Sequence, residues 1–209
     1  MRLVILANEH QKEEILSGGI KDDCKVDWIK TSAELSELDN CDALIDLLFE
    51  ENGYDVSHLK SFSPKPVIVN SVIKTTEEIG IDVIRINGWP GFLKRSVAEI
   101  SCSDANKTNA ETILSEFDKK TEFVPDIRGF VSSRVISMII NEAYFALEEN
   151  VSTKEEIDTA MKLGTNYPYG PFEWGEKIGL KNIVSLLTEL SLTEKRSQPA
   201  GLLLKEAIE

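Results

Sequence analysis

The chain has 209 residues, 42% of them hydrophobic, which suits one large domain or two small ones with ordinary cores. Its 36 acidic against 23 basic residues give a formal net charge of −13. Such a surface repels phosphate backbones and anionic lipid heads, arguing against nucleic-acid or membrane partners and requiring a local basic pocket for any anionic ligand. Three cysteines (Cys24, Cys41, Cys102) form no CxxC pair and point to a reducing compartment. The apolar run Leu3–Leu6 is too short for a signal peptide, and no run reaches the roughly 20 apolar residues that cross a bilayer. A soluble cytoplasmic protein is expected.

Leu3–Leu6 reads as a buried parallel strand. A helix follows from Lys12 to Leu16, stopped by Ser17-Gly18-Gly19. Val26–Ile29 is a second strand. Thr31-Ser32 then caps a helix over Ala33–Leu38. Ala43–Leu48, Val67–Val69, Val83–Ile86 and Val97–Cys102 make four further strands. This alternation predicts a mostly parallel, doubly wound sheet covered on both faces.

From Gly129 the period changes. Phe130, Val131, Val135, Met138, Ile139, Ala143 and Leu147 recur at three- and four-residue spacing, an amphipathic helix. Ser152-Thr153-Lys154-Glu155-Glu156 is a capping box for a second helix through Leu163, ended by Gly164. Helices over about 172–178, 180–190 and 200–208 follow. The chain therefore divides near residue 125, into an α/β half over 1–125 and an all-helical half over 126–209.

Several motifs in the second half occur in order. They are Asp126, Gly129, Phe130 and Arg134, then Asn141-Glu142-Ala143, Ile157–Gly164, Tyr167–Glu173 and Ile178-Gly179-Leu180, with Arg196–Leu203 closing the series. Residues 126–208 thereby resemble the C-terminal domain of the 3-hydroxyacyl-CoA dehydrogenases. The first half is similar in Cys41–Asp46, Val69-Asn70-Ser71 and the stretch Asn87–Glu99. The resemblance implies a reduced Rossmann-like parallel sheet followed by an all-α domain of the 6-phosphogluconate/3-hydroxyacyl-CoA dehydrogenase type. It further implies NAD as cofactor, oxidation of 3-hydroxyacyl-CoA to the ketone in fatty acid metabolism, an acyl-CoA-like ligand, and a homodimer formed through the helical domain.

The resemblance also places the site. Ala7, Asn8 and His10 stand where the family carries its glycine-rich cofactor loop. Glycines there permit the tight turn and let backbone amides reach the pyrophosphate. None is present between Leu6 and Gln11, and Glu9 sets a negative charge at the helix start. His10 and Lys12 offer a different phosphate contact; the loop also reads simply as a polar turn. Asp27 reads as a strand-edge charge and not as a ribose-binding acid.

The family's catalytic pair is a histidine, which accepts the hydroxyl proton, and a glutamate that orients it. Glu99 matches the glutamate. At the family's spacing the histidine falls on Asn87, which has no usable proton affinity near neutrality. Ser133 stands for the family's asparagine on the helical side, and Val72 for its substrate-contacting serine. Pro90 and Arg128 depart from the pattern as well. A pseudoenzyme that keeps the scaffold is the expectation, with Glu99 as a structural partner of Asn87. His58 reads as an ordinary exposed residue on a surface helix, and the two histidines show no metal-ligand spacing. Lys94-Arg95 offers an anion contact or a solvated loop, while Trp89, Tyr167, Tyr169, Phe172 and Trp174 read mainly as packing.

Overall fold

The structure is a computed structural model and describes residues 1–37 and 40–208. It divides into two compact units, Met1–Phe130 and Val131–Glu209.

The first unit is built on a seven-stranded sheet of order β2-β1-β3-β4-β5-β6-β7. The strands are β1 (Arg2–Leu6), β2 (Lys25–Ile29), β3 (Ala43–Asp46), β4 (Val67–Asn70), β5 (Ile84–Ile86), β6 (Val97–Ser101) and β7 (Lys120–Phe123). All pairs are parallel except β5–β6. The segment between β5 and β6 holds turns and no helix, so it has no crossover to carry the chain back and the pair is antiparallel. Successive residues of each strand point to opposite faces. Leu3, Ile5, Ile45 and Ile68 pack into one core with Ile113, Leu114 and Phe117. Val4, Leu6, Leu44 and Val69 pack into the other with Phe49, Leu59 and Ile79. Both faces are covered, as the continuous apolar runs require.

Helix α1 spans Glu9–Leu16, starting earlier than Lys12. Asn8 accepts from the Gln11 amide, while the Gln11 side chain accepts from the Asn8 amide, a reciprocal cap that starts the helix at Glu9. The helix expected over Ala33–Leu38 is a 3₁₀ helix over Ser32–Glu37; Leu38 lies outside the described residues. Two short helices, α2 (Thr76–Ile79) and α3 (Lys107–Ser115), and strand β7 carried no clear pattern in the sequence. Strand β7 reads Lys-Thr-Glu-Phe and alternates exposed with half-buried residues, so no apolar run marks it.

The first unit runs past residue 125 because the sheet grips the following turn. Arg85 on β5 is fully buried and pairs with Asp126. It also donates to the Ile127 carbonyl and lies 4.7 Å from the Phe130 ring centre. The Gly129 amide donates to the Val72 carbonyl at 2.7 Å. Gly129 sits at φ +79°, a conformation that costs glycine little.

The second unit contains α4 (Ser132–Glu148), α5 (Lys154–Thr165), α6 (Pro171–Ile178), α7 (Leu180–Ser191) and α8 (Gly201–Glu206). Helix α5 opens on the expected capping box, Thr153 with Glu156, but continues through Gly164 to a left-handed Asn166. Its motifs resolve into hydrogen-bonded staples. Asp158 on α5 accepts from the Phe172 and Glu173 amides at 2.8 and 3.2 Å, satisfying the open end of α6. An added Cβ at Gly170 would lie 2.3 Å from the Asp158 carboxyl carbon. Asn141 on α4 donates to the Gln198 carbonyl and accepts from the Ala200 amide, at 2.9 and 2.8 Å, tying down the closing segment. Among the described residues no helix is long and apolar enough to cross a membrane.

Candidate functional site

In a doubly wound sheet, ligands bind beyond the carboxyl ends of the strands, where the strand order reverses. Here that point lies between β1 and β3, and four strand ends face it: Ala7-Asn8, Asp46-Leu47, Asn70-Ser71 and Asn87-Gly88.

Side chains of the first unit fill this mouth. Gln11, 5% exposed, donates to the Leu47 carbonyl at 2.9 Å. Asn70 donates to the same carbonyl at 3.2 Å and accepts from the Gly88 amide at 3.0 Å. The fit is close: a Cβ on Gly88 would lie 2.7 Å from the Asn70 side chain. Trp89, 2% exposed, donates its indole N–H to Glu50 at 2.8 Å. The Gly91 amide donates to Glu14 on α1 at 2.7 Å. The Asn87–Gly91 turn is thus bound to α1, β4 and the turn after β3.

The charge at this mouth is acidic. Asp46 is wholly buried and Glu14 nearly so. Loss of hydration pushes the Glu51 carboxyl above its usual range, and the neighbouring Glu50 and Asp46 add to the effect. Asp46 is 2.9 Å from His58 Nε2, and the His58 side chain is 12% exposed. His58 is therefore a half-buried partner of a buried acid, correcting the reading of an ordinary exposed residue. The signal available beforehand was an aspartate closing the apolar run Ala43-Leu44-Ile45.

Asn87 and Glu99 are brought together. The Asn87 side-chain amide donates to the Glu99 carboxylate at 3.0 Å, and the Asn87 backbone amide donates to the Glu99 carbonyl across the β5–β6 edge. Asn87 is 4% exposed and Glu99 half-buried. Ser133 belongs to the second unit, buried in the first turn of α4. Val72 is fully buried; its amide donates to Glu50 at 2.8 Å.

At the cofactor positions, the Ala7 amide donates to the Ile29 carbonyl. Asn8 is the helix cap, and His10 is exposed with Nε2 3.3 Å from Glu14. Lys12 stacks 5.0 Å above the Trp28 ring. The Glu9 carboxylate is held below its usual range by its hydrogen bond to Lys30. The first turn of α1 therefore presents a stable anion and a self-satisfied cap where a pyrophosphate would need free amides. Asp27 pairs with Arg2 at 2.8 Å, a strand-edge charge as expected. Lys119 donates to the Arg95 carbonyl, and the Arg95 guanidinium sits 4.9 Å over Phe92. A cavity of about 570 Å³, lined by Leu59, Lys65, Val67, Asp82 and Val83 among others, lies where β4 begins, at the end of that strand remote from this mouth.

Comparison with known proteins adds a lineage to this geometry. The family profile described as 3-hydroxyacyl-CoA dehydrogenase, C-terminal domain, matches residues 129–208. The 3-hydroxyadipyl-CoA dehydrogenase of Escherichia coli (strain K12) is 39% identical over 181 residues, covering 86% of this chain and 34% of that one. The 3-hydroxybutyryl-CoA dehydrogenase of Bradyrhizobium diazoefficiens is 33% identical over 108 residues, covering 51% of this chain and 37% of that one. This chain thus spans little more than a third of the length of these curated relatives. The crystal structure of (S)-3-hydroxybutyryl-CoA dehydrogenase PaaH1 from Ralstonia eutropha superposes with a TM-score of 0.74 at 19% identity, covering 98% of this chain and 92% of that one. That last likeness concerns the fold.

Proposed function

Residues 129–208 form the C-terminal domain of the 3-hydroxyacyl-CoA dehydrogenase family, to which the chain belongs, and on that premise we propose that it is a family member without dehydrogenase catalysis. The observation that carries the proposal is the Asn87–Glu99 pair. Removing a hydroxyl proton as hydride departs needs a base whose conjugate acid forms near neutral pH. Asn87 stands in that place with its amide N–H already given to Glu99 at 3.0 Å. It can hold a carbonyl or hydroxyl oxygen; it cannot take the proton. Glu99 then orients an amide in the place where the family has an imidazole.

The residues at the first strand end do not fit NAD in the family's manner. The glycine turn is missing, Asn8 and Gln11 cap α1, and the Glu9 carboxylate opposes phosphate. The role that remains is a cytoplasmic homodimer that binds an acyl-CoA-like ligand in a regulatory or carrier capacity within fatty acid metabolism. The dimer is supported by Val135 on the amphipathic helix α4 and by its N-cap Val131, which are 51% and 50% exposed.

The test is a titration of NADH fluorescence together with turnover of acetoacetyl-CoA, with a thermal-shift series using acyl-CoA thioesters alongside. Neither cofactor binding nor turnover is expected, while a thioester should raise the melting temperature because it binds the folded state. Measurable oxidation or reduction that disappears in Glu99→Gln would overturn the proposal.

A further inference from the structure

Glu50 sits in the turn after β3, yet its carboxylate is bound like that of a ligand. One oxygen, Oε1, accepts from the Trp89 indole at 2.8 Å. The other, Oε2, accepts from the backbone amides of Val72 and Ile73 at 2.8 and 2.9 Å and from the Tyr54 hydroxyl at 3.1 Å. Consecutive backbone N–H groups aimed at one point form an anion-binding concavity, and the indole and phenol complete it.

The Arg85 guanidinium stands behind those amides. Its Nε donates to the Ser71 carbonyl at 3.0 Å and its Nη2 to the Val72 carbonyl at 3.3 Å. These carbonyls belong to the same two peptide groups whose N–H groups face Glu50: Ser71 C=O with Val72 N–H, and Val72 C=O with Ile73 N–H. Each peptide is drawn at oxygen by the cation and at hydrogen by the anion. Hydrogen bonds in such chains polarise and strengthen one another. Arg85 and Glu50 are thus joined through two peptide dipoles, and Lys74 adds a second cation 4.2 Å from the Tyr54 ring centre. Preorganised donors of this kind bind an oxyanion without reorganising.

We propose that Tyr54, Val72, Ile73 and Trp89, backed by Arg85, form a carboxylate-binding cradle whose resident occupant is the side chain of Glu50, and that a small external carboxylate takes the same place when that side chain is withdrawn. A planar monoanion matches the donors, with one oxygen on the indole and the other on the three remaining groups. The buried acids nearby, Asp46 and Glu14, disfavour a phosphate dianion. The proposal stands whether or not the chain turns over a hydroxyacyl thioester.

The experiment removes the occupant. Glu50→Ala is melted in chloride, formate and acetate at equal ionic strength. The melting temperature is expected to fall in chloride and to recover saturably with formate, while the unaltered protein ignores formate. Adding Tyr54→Phe should weaken the formate effect about tenfold, the loss of one hydrogen bond to a charged group. Recovery that chloride matches, no recovery, or formate affinity untouched by Tyr54→Phe would each overturn the cradle. Hydrogen exchange on the unaltered protein gives an independent reading should Glu50→Ala fail to fold. The Val72 and Ile73 amides should be protected despite lying in a turn, and exchange at open-loop rates would refute the assignment.

Discussion

Replacing Arg85 by methionine tests how the sheet holds the Asp126–Phe130 turn at the end of the first unit. The side chain is fully buried. It donates to the Ser71, Val72 and Ile127 carbonyls at 3.0–3.4 Å, pairs with Asp126, and stacks 4.7 Å from Phe130. Methionine keeps much of the apolar stem and removes every donor. Losing one partner of a buried ion pair costs about 3–5 kcal/mol. Asp126 is 36% exposed and regains some water, which lowers its share; the abandoned carbonyls raise the total again. The expected loss is about 4 kcal/mol. With a urea slope of about 2 kcal/mol/M, the midpoint moves down by about 2 M. Burial alone would raise the Asp126 carboxyl, but Arg85 and the Thr76 amide outweigh it and hold the group below its usual range. A carboxylate so depressed stabilises the fold above its unfolded pKa, about 3.9, and loses that contribution as pH falls through the folded value. The gap between the two proteins should therefore narrow below about pH 4. A loss under about 1 kcal/mol would refute the reasoning about the pair. A gap unchanged from neutral to strongly acidic pH would refute the part assigned to Asp126.

Three other substitutions probe the remaining staples. Gly88→Ala forces a Cβ to 2.7 Å from the Asn70 side chain, so calorimetry should show a loss of about 1–3 kcal/mol; an unchanged melting temperature would mean that the turn moves freely. Asn141→Ala removes both bonds to the Gln198–Ala200 segment and should cost about 2 kcal/mol, with faster exchange of the Ala200 amide as the local signature. Asp158→Ala uncaps α6 at the Phe172 and Glu173 amides and should cost about 1–2 kcal/mol in a denaturant titration.

The helical half was legible because its motif residues are fixed by close geometry. Gly170 has no room for a Cβ beside Asp158, and Asn141 satisfies two backbone groups of the closing segment. Substitutions at such points are costly, so the pattern stays readable. The apolar runs of β1, β3 and β4 announced a sheet buried on both faces, and the family resemblance that set Asn87 in the place of Glu99's partner anticipated their contact. What escaped notice depends on partners distant in sequence. Glu50 lies 22 and 23 residues from the amides it accepts from and 39 from the Trp89 indole. The aspartate that holds His58 sits on a strand that reads as apolar. A carboxylate in a turn carries no period, and nothing near it in the chain records what it will bind.

The occupied mouth of the sheet bears on any change made at position 87. Writing histidine at position 87 would supply a base, but Gln11, Trp89 and Glu50 would still stand where a visitor has to enter, each bonded to its own scaffold. Vacating the room must precede furnishing it. Each such replacement also removes a tie between α1, the β3 turn and the Asn87–Gly91 segment, so opening the mouth costs stability.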